Sequence, residues 1–157
     1  MILEIELPAT HSALLACLET IGDFGASANL PPDLVARARI VVEELYTNTI
    51  KYGYGGECER RVWLRLSAEG RLTVVYEDEA PLFDPTSWLT SAAGEDHPSA
   101  AESLREGEAG LALMFGLASS VAYEPRADGN RLIVIFDRLP PFSLPSEGSA
   151  GEGGEGG

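Results

Sequence analysis

The stretch Val41-Val42-Glu43-Glu44-Leu45-Tyr46-Thr47-Asn48-Thr49-Ile50-Lys51-Tyr52-Gly53-Tyr54 decides how this chain is read. Its apolar positions recur at helical spacing and continue a stripe that runs through Leu34, Ala38, Val41, Leu45 and Thr49. Pro31-Pro32-Asp33 opens the helix, since proline's missing N–H is not needed in a first turn. Gly53 or the Gly55-Gly56 pair is expected to end it, where left-handed backbone angles cost little. Glu44 and Asn48 are four residues apart, so both project beside the apolar stripe, in a second row with Arg37, Val41 and Lys51. A solvated helix face explains such a pair on its own. The same pair also offers a carboxylate as general base, next to an uncharged amide oxygen that suits a hard cation such as Mg²⁺.

Working outward, Ile2–Leu7 alternates as a strand, and residues 11–28 carry helical spacing at Leu14, Leu15, Leu18 and Ile21, with fraying expected at Gly22 or Gly25. Beyond the helix, residues 61–66 and 71–76 alternate and are joined by Ala68-Glu69-Gly70, which predicts an antiparallel hairpin. Trp63 is expected in the core. A long stretch rich in Pro, Gly, Ser and acid follows from Glu77 to Glu108, and loops of that length are more often functional than not. A short apolar helix over 109–119 and a second hairpin, 121–123 with 131–136, complete the pattern. Strands that pair with sequence neighbours, beside grouped helices, predict an α+β two-layer sandwich: a mostly antiparallel sheet covered on one face by helices. The domain is expected to span residues 1–139. Residues 140–157, rich in Gly, Ser and Glu, cannot bury a core and are expected to be a disordered tail.

Two further segments carry chemistry. Glu77-Asp78-Glu79-Ala80-Pro81-Leu82-Phe83-Asp84-Pro85 closes a strand and opens the long loop. A proline-terminated strand with a polar exit explains it plainly. Asp78 at the end of a buried strand can also accept a hydrogen bond from an adenine amino group, with Phe83 fixing the loop against the sheet. Gly107-Glu108-Ala109-Gly110-Leu111-Ala112-Leu113 lies where the loop turns into a helix. Small residues there allow ordinary packing, and they also let backbone N–H groups approach phosphates at a helix N-terminus.

The 157 residues fit one domain, and 11 basic against 25 acidic residues give a formal charge of −14. A field of that sign disfavours nucleic acid and anionic membranes, so any action on transcription is expected to go through a protein partner. No apolar run approaches the roughly 20 residues that span a bilayer, and Met1–Pro8 lacks a basic leader. A cytoplasmic location is the expectation. Cys17 and Cys58 match no metal spacing, and Cys17, in an apolar run, is expected in the core.

Together and in this order, the three segments resemble the boxes of the Bergerat-fold (histidine kinase-like) ATPases. Val41–Tyr54 resembles the N-box, whose helix carries Glu-x-x-x-Asn and runs on to Gly-Tyr in the anti-sigma factor serine/threonine kinase branch. Asp78–Pro85 resembles that branch's Asp-x-Gly-x-x-Phe-Asp-Pro adenine box, and Gly107–Leu113 its Gly-x-Gly-Gly-Leu-Gly-Leu phosphate box. Ala80, Ala109 and Ala112 stand where those patterns have glycine. The resemblance implies ATP and Mg²⁺ as cofactors, Asn48 as metal ligand and Glu44 as catalytic base. It implies a nucleotide site drawn from Asn48, Lys51, Asp78, Ala80, Phe83, Gly107, Ala109, Gly110 and Leu111. It also implies phosphorylation of a serine or threonine on an anti-anti-sigma partner, binding of a sigma factor, and frequent homodimers. A second reading keeps the fold and partner binding with kinase activity weakened or lost, because residues 94–108 are acidic and opposed by Arg105 alone.

Overall fold

The computed structural model describes residues 1–87 and 108–138. The acidic stretch 94–107, Gly107 included, and the expected tail 140–157 lie outside the described residues. The elements are β1 (Ile2–Pro8), α1 (His11–Ser27), α2 (Pro32–Asn48), a π-helical turn (Thr49–Gly53), β2 (Arg61–Ala68), β3 (Leu72–Asp78), α3 (Glu108–Leu117), β4 (Ser120–Arg126) and β5 (Gly129–Phe136). The strands form one fully antiparallel sheet in the order β1-β2-β3-β5-β4. The α+β sandwich expected from the pattern is the one observed.

Period-two alternation sorts the strands. Val62, Leu64 and Leu66 of β2, Leu72, Val74 and Tyr76 of β3, and Leu132, Val134 and Phe136 of β5 are buried on one face. Leu14, Leu18 and Ile21 of α1 and Leu34, Ala38, Val41 and Leu45 of α2 join them in a single core. The opposite face carries Glu4, Glu6, Trp63, Arg65, Glu77 and Arg131 along a groove of about 700 Å³. Trp63 therefore sits half-buried on the outer face rather than in the core: its parity along β2 is opposite to that of Val62 and Leu64. None of the described residues of the three boxes lines this groove.

Helix α1 starts where the Thr10 hydroxyl accepts from the Ala13 N–H at 3.2 Å, a side-chain N-cap. It does not fray at Gly22 or Gly25. A side chain at Gly25 would overlap Val35 of α2, so the glycine serves a close helix crossing. The chain leaves the helix at Asn29, whose φ of 51° is left-handed. Helix α2 buries the stripe read from sequence and then widens, with Tyr54 N–H donating to the Thr49 carbonyl five residues back at 2.8 Å. Such π-turns often mark functional sites. Arg37 fixes the far end of α3. Its Nη1 donates to the Leu117 carbonyl at 3.2 Å and its Nη2 to the Asp137 carbonyl at 3.1 Å, a cation at a helix C-terminus.

Candidate functional site

Three segments distant in sequence meet at the C-terminal half of α2. The first junction is with β3. Thr49, the last member of the apolar stripe, is buried and donates its hydroxyl proton to Asp78 Oδ2 at 2.8 Å. The Tyr76 hydroxyl lies 2.7 Å from Thr49 Oγ1. The Leu45 carbonyl, 3.1 Å from Thr49 Oγ1, is a competing acceptor, but because the carboxylate only accepts, the order that serves Asp78 has Tyr76 donating to Thr49 and Thr49 donating to Asp78. Burial pushes the Tyr76 phenol well above its ordinary value, so it stays protonated and remains a donor.

Asp78 ends β3 and is only 6% exposed. Its Oδ1 accepts from Asn130 Nδ2 at 2.9 Å and from the Ala80 N–H at 3.2 Å. A carboxylate offers about four acceptor positions, and these three donors leave one open, on Oδ2.

The loop after β3 is held from two sides. The Glu79 N–H donates to the Tyr54 hydroxyl at 2.9 Å, and Arg60, stacked 4.3 Å over the Tyr54 ring, donates to the Glu79 carbonyl at 2.6 Å. The Phe83 N–H donates to Asn130 Oδ1 at 2.9 Å. Phe83, expected to fix the loop against the sheet, is 61% exposed and makes its attachment through the backbone N–H. Ala80 is buried without a positive φ, so its methyl brings no backbone strain. That methyl packs on Gly53, which has no side chain to compete for the space.

The second junction is with α3. A methyl at Gly110 would overlap the Glu44 carboxylate, so the first turn of α3 lies directly against Glu44. Glu44 and Asn48 are both partly buried, one helical turn apart. Residue 109 is helical, so the glycine expected there is not needed for its backbone angles. Leu111 is buried in the core beside Met114, so its side chain anchors α3 and only its backbone is available to a ligand. Lys51 is exposed, its ammonium 5.2 Å from the Tyr52 ring centroid.

Residues 7–136 match the family model of the histidine kinase-like ATPase domain. The chain belongs to the histidine kinase-like ATPase domain family. Among solved structures it is similar to the RsbU and RsbW domains of Rv1364c from Mycobacterium tuberculosis, with a TM-score of 0.62 at 16% identity. The match covers 92% of this chain and 35% of that one, and at this identity it speaks to fold alone. No curated protein matches significantly.

The donor set of this ATPase domain suits a purine nucleotide. Asp78 keeps one acceptor position open on Oδ2, and the first turn of α3, a helix N-terminus of the kind that favours anions, lies against Glu44. Among the described residues no group of three His, Cys, Asp or Glu is placed to hold a metal. The Asn48 amide oxygen is of the type that a divalent cation such as Mg²⁺ could take as a ligand, with phosphate oxygens and water completing its shell. Also among the described residues, no helix is long and apolar enough to cross a membrane.

Thr49 and Asn130, which shape the site, were not among the residues read as functional. Thr49 looks like one more position of an apolar stripe, and Asn130 like a turn residue. The usable signal was positional: Thr49 follows Asn48 directly, and the β3–β5 register sets Asn130 opposite Asp78.

Proposed function

We propose that this domain is an ATP-dependent protein serine/threonine kinase of the anti-sigma factor type, acting in the cytoplasm on an anti-anti-sigma protein, a sigma factor, or both. The observation that carries the reading is that residues 44–49, running from α2 into the π-helical turn, join the three boxes: Thr49 bonds Asp78, and Glu44 abuts Gly110. In this reading Asp78 accepts the adenine amino group, and the first turn of α3 lines the phosphates with backbone N–H groups at Ala109 and Gly110, while Gly107 is assigned to the same path by its box alone. Asn48 supplies an oxygen to Mg²⁺, which contributes neutralisation of phosphate charge when bound. Glu44 accepts the proton of the attacking serine or threonine hydroxyl. The net charge of −14 supports a protein partner over nucleic acid.

Phosphotransfer from labelled ATP to a serine-bearing partner tests the assignment. Glu44→Ala is expected to keep nucleotide affinity within about threefold and to lose at least about a hundredfold in transfer rate. Transfer at the normal rate in that variant removes Glu44 from the role of base. Partner binding by the wild type with no transfer at all favours a binding module of the same fold.

A further inference from the structure

Asn130 is a buried amide with every hydrogen-bonding group engaged. It is 6% exposed and stands directly across from Asp78 in the β3–β5 register. Its Nδ2 donates to Asp78 Oδ1 at 2.9 Å, to the Pro81 carbonyl at 3.1 Å and to the Ala80 carbonyl at 3.3 Å. Its Oδ1 accepts from the Phe83 N–H at 2.9 Å and from the Tyr123 hydroxyl at 2.7 Å. The partners fix which end is which: a carboxylate and two carbonyls demand the NH₂ group, and a backbone N–H demands the oxygen. One side chain therefore clamps the Asp78 carboxylate and residues 80–83 of the following loop into a single unit.

The consequence concerns what Asp78 can recognise. Two of its three donors act on Oδ1, so that oxygen is saturated and the open position falls on Oδ2. Without the Asn130 donor, Oδ1 regains an open position, the carboxylate can turn, and the geometry offered to a ligand N–H is no longer unique. A hydrogen bond to a charged acceptor discriminates between ligands only when its direction is fixed. We propose that Asn130 is a positioning residue which, by holding Asp78 with one acceptor position open, sets the preference of the site for a purine bearing a 6-amino group. This rests on the reading above that Asp78 receives that amino group. Asn130 itself does not touch the base.

The test compares ATP with inosine triphosphate, which differs by a carbonyl in place of the 6-amino group. Dissociation constants are measured by displacement of a fluorescent ATP analogue from the full chain. The wild type is expected to bind ATP at least about tenfold more tightly than inosine triphosphate. Asn130→Ala should reduce that ratio to about twofold while inosine triphosphate affinity stays within about threefold, because the phosphate contacts lie across the site on α2 and α3. An equal loss for both nucleotides, or an unchanged ratio, overturns the proposal. Asn130→Asp, almost identical in volume, replaces the donors with acceptors facing Asp78 and should collapse the ratio in the same way. If Asn130→Ala does not fold, a wild-type ratio in Asn130→Asp overturns the proposal by itself. A wild type that binds both nucleotides alike refutes the role of Asp78 before any variant is made, and the proposal with it.

Discussion

Replacing Thr49 by valine removes one buried hydroxyl and changes almost nothing in shape. The hydroxyl links Tyr76 to Asp78, at 2.7 and 2.8 Å, in a position 4% exposed. Loss of a hydrogen bond to a charged group costs about 1.5–3 kcal/mol. The exchanged methyl returns up to about 0.8 kcal/mol through burial. Tyr76 recovers part of the remainder by donating to the Leu45 carbonyl, now 3.3 Å away, whereas Asp78 Oδ2 gains no replacement in that network. The net expectation is a loss of about 1–2 kcal/mol, or about 2–8 °C in Tm for a chain of this size. Thr49→Ser is the diagnostic companion. It keeps the hydroxyl and loses one buried methyl, for about 1 kcal/mol. Apolar burial alone ranks valine above serine; the hydroxyl relay ranks serine above valine. Urea unfolding at pH 7, with equal m-values across the three proteins, reads the order directly. A Thr49→Val protein as stable as the wild type, or more stable than Thr49→Ser, refutes the relay.

Gly53→Ala would bring its methyl within 2.7 Å of the Ala80 methyl, an overpacking expected to cost about 1–3 kcal/mol in urea unfolding. Adding Ala80→Gly should restore most of the loss, and strictly additive effects would show that the two residues do not share that space. Burial pushes the Cys17 thiol up to about 11 from an ordinary 9.0. The folded protein thus holds this proton more tightly than the unfolded chain does, and the associated stability, full below pH 9, is lost as pH rises toward 11. The urea midpoint should fall over that window, and Cys17→Ala should fall less steeply; identical profiles contradict the assignment.

Much of this architecture was legible because it follows from local periodicity. The stripe Leu34 to Thr49, the alternation of β2 and β3, and the two hairpins each depend on residues close in sequence. Glu44 and Asn48 could be read because one helix sets their spacing. What could not be read depends on contacts between elements. Gly25 looks like a helix breaker until α2 is packed against α1, where Val35 meets it. Trp63 looks like core until the parity of β2 is set by Val62, Leu64 and Leu66. Thr49 and Asn130 acquire their roles only when β3 lies between α2 and β5, a neighbourhood set by the strand order β1-β2-β3-β5-β4. The backbone attachment of Phe83 to Asn130 is likewise a contact between elements that no local pattern shows.

In the function proposed, α2, the end of β3 and the first turn of α3 together hold ATP with Mg²⁺. Isothermal titration of the purified chain with ATP in the presence of Mg²⁺ measures this directly, with thermal unfolding as the companion readout. The wild type is expected to show saturable binding and, at a ligand concentration about a hundred times Kd, a stabilisation of about 2.7 kcal/mol that Asn48→Ala abolishes. No heat and no stabilisation at millimolar ATP in the wild type, or full binding retained by Asn48→Ala, would contradict it.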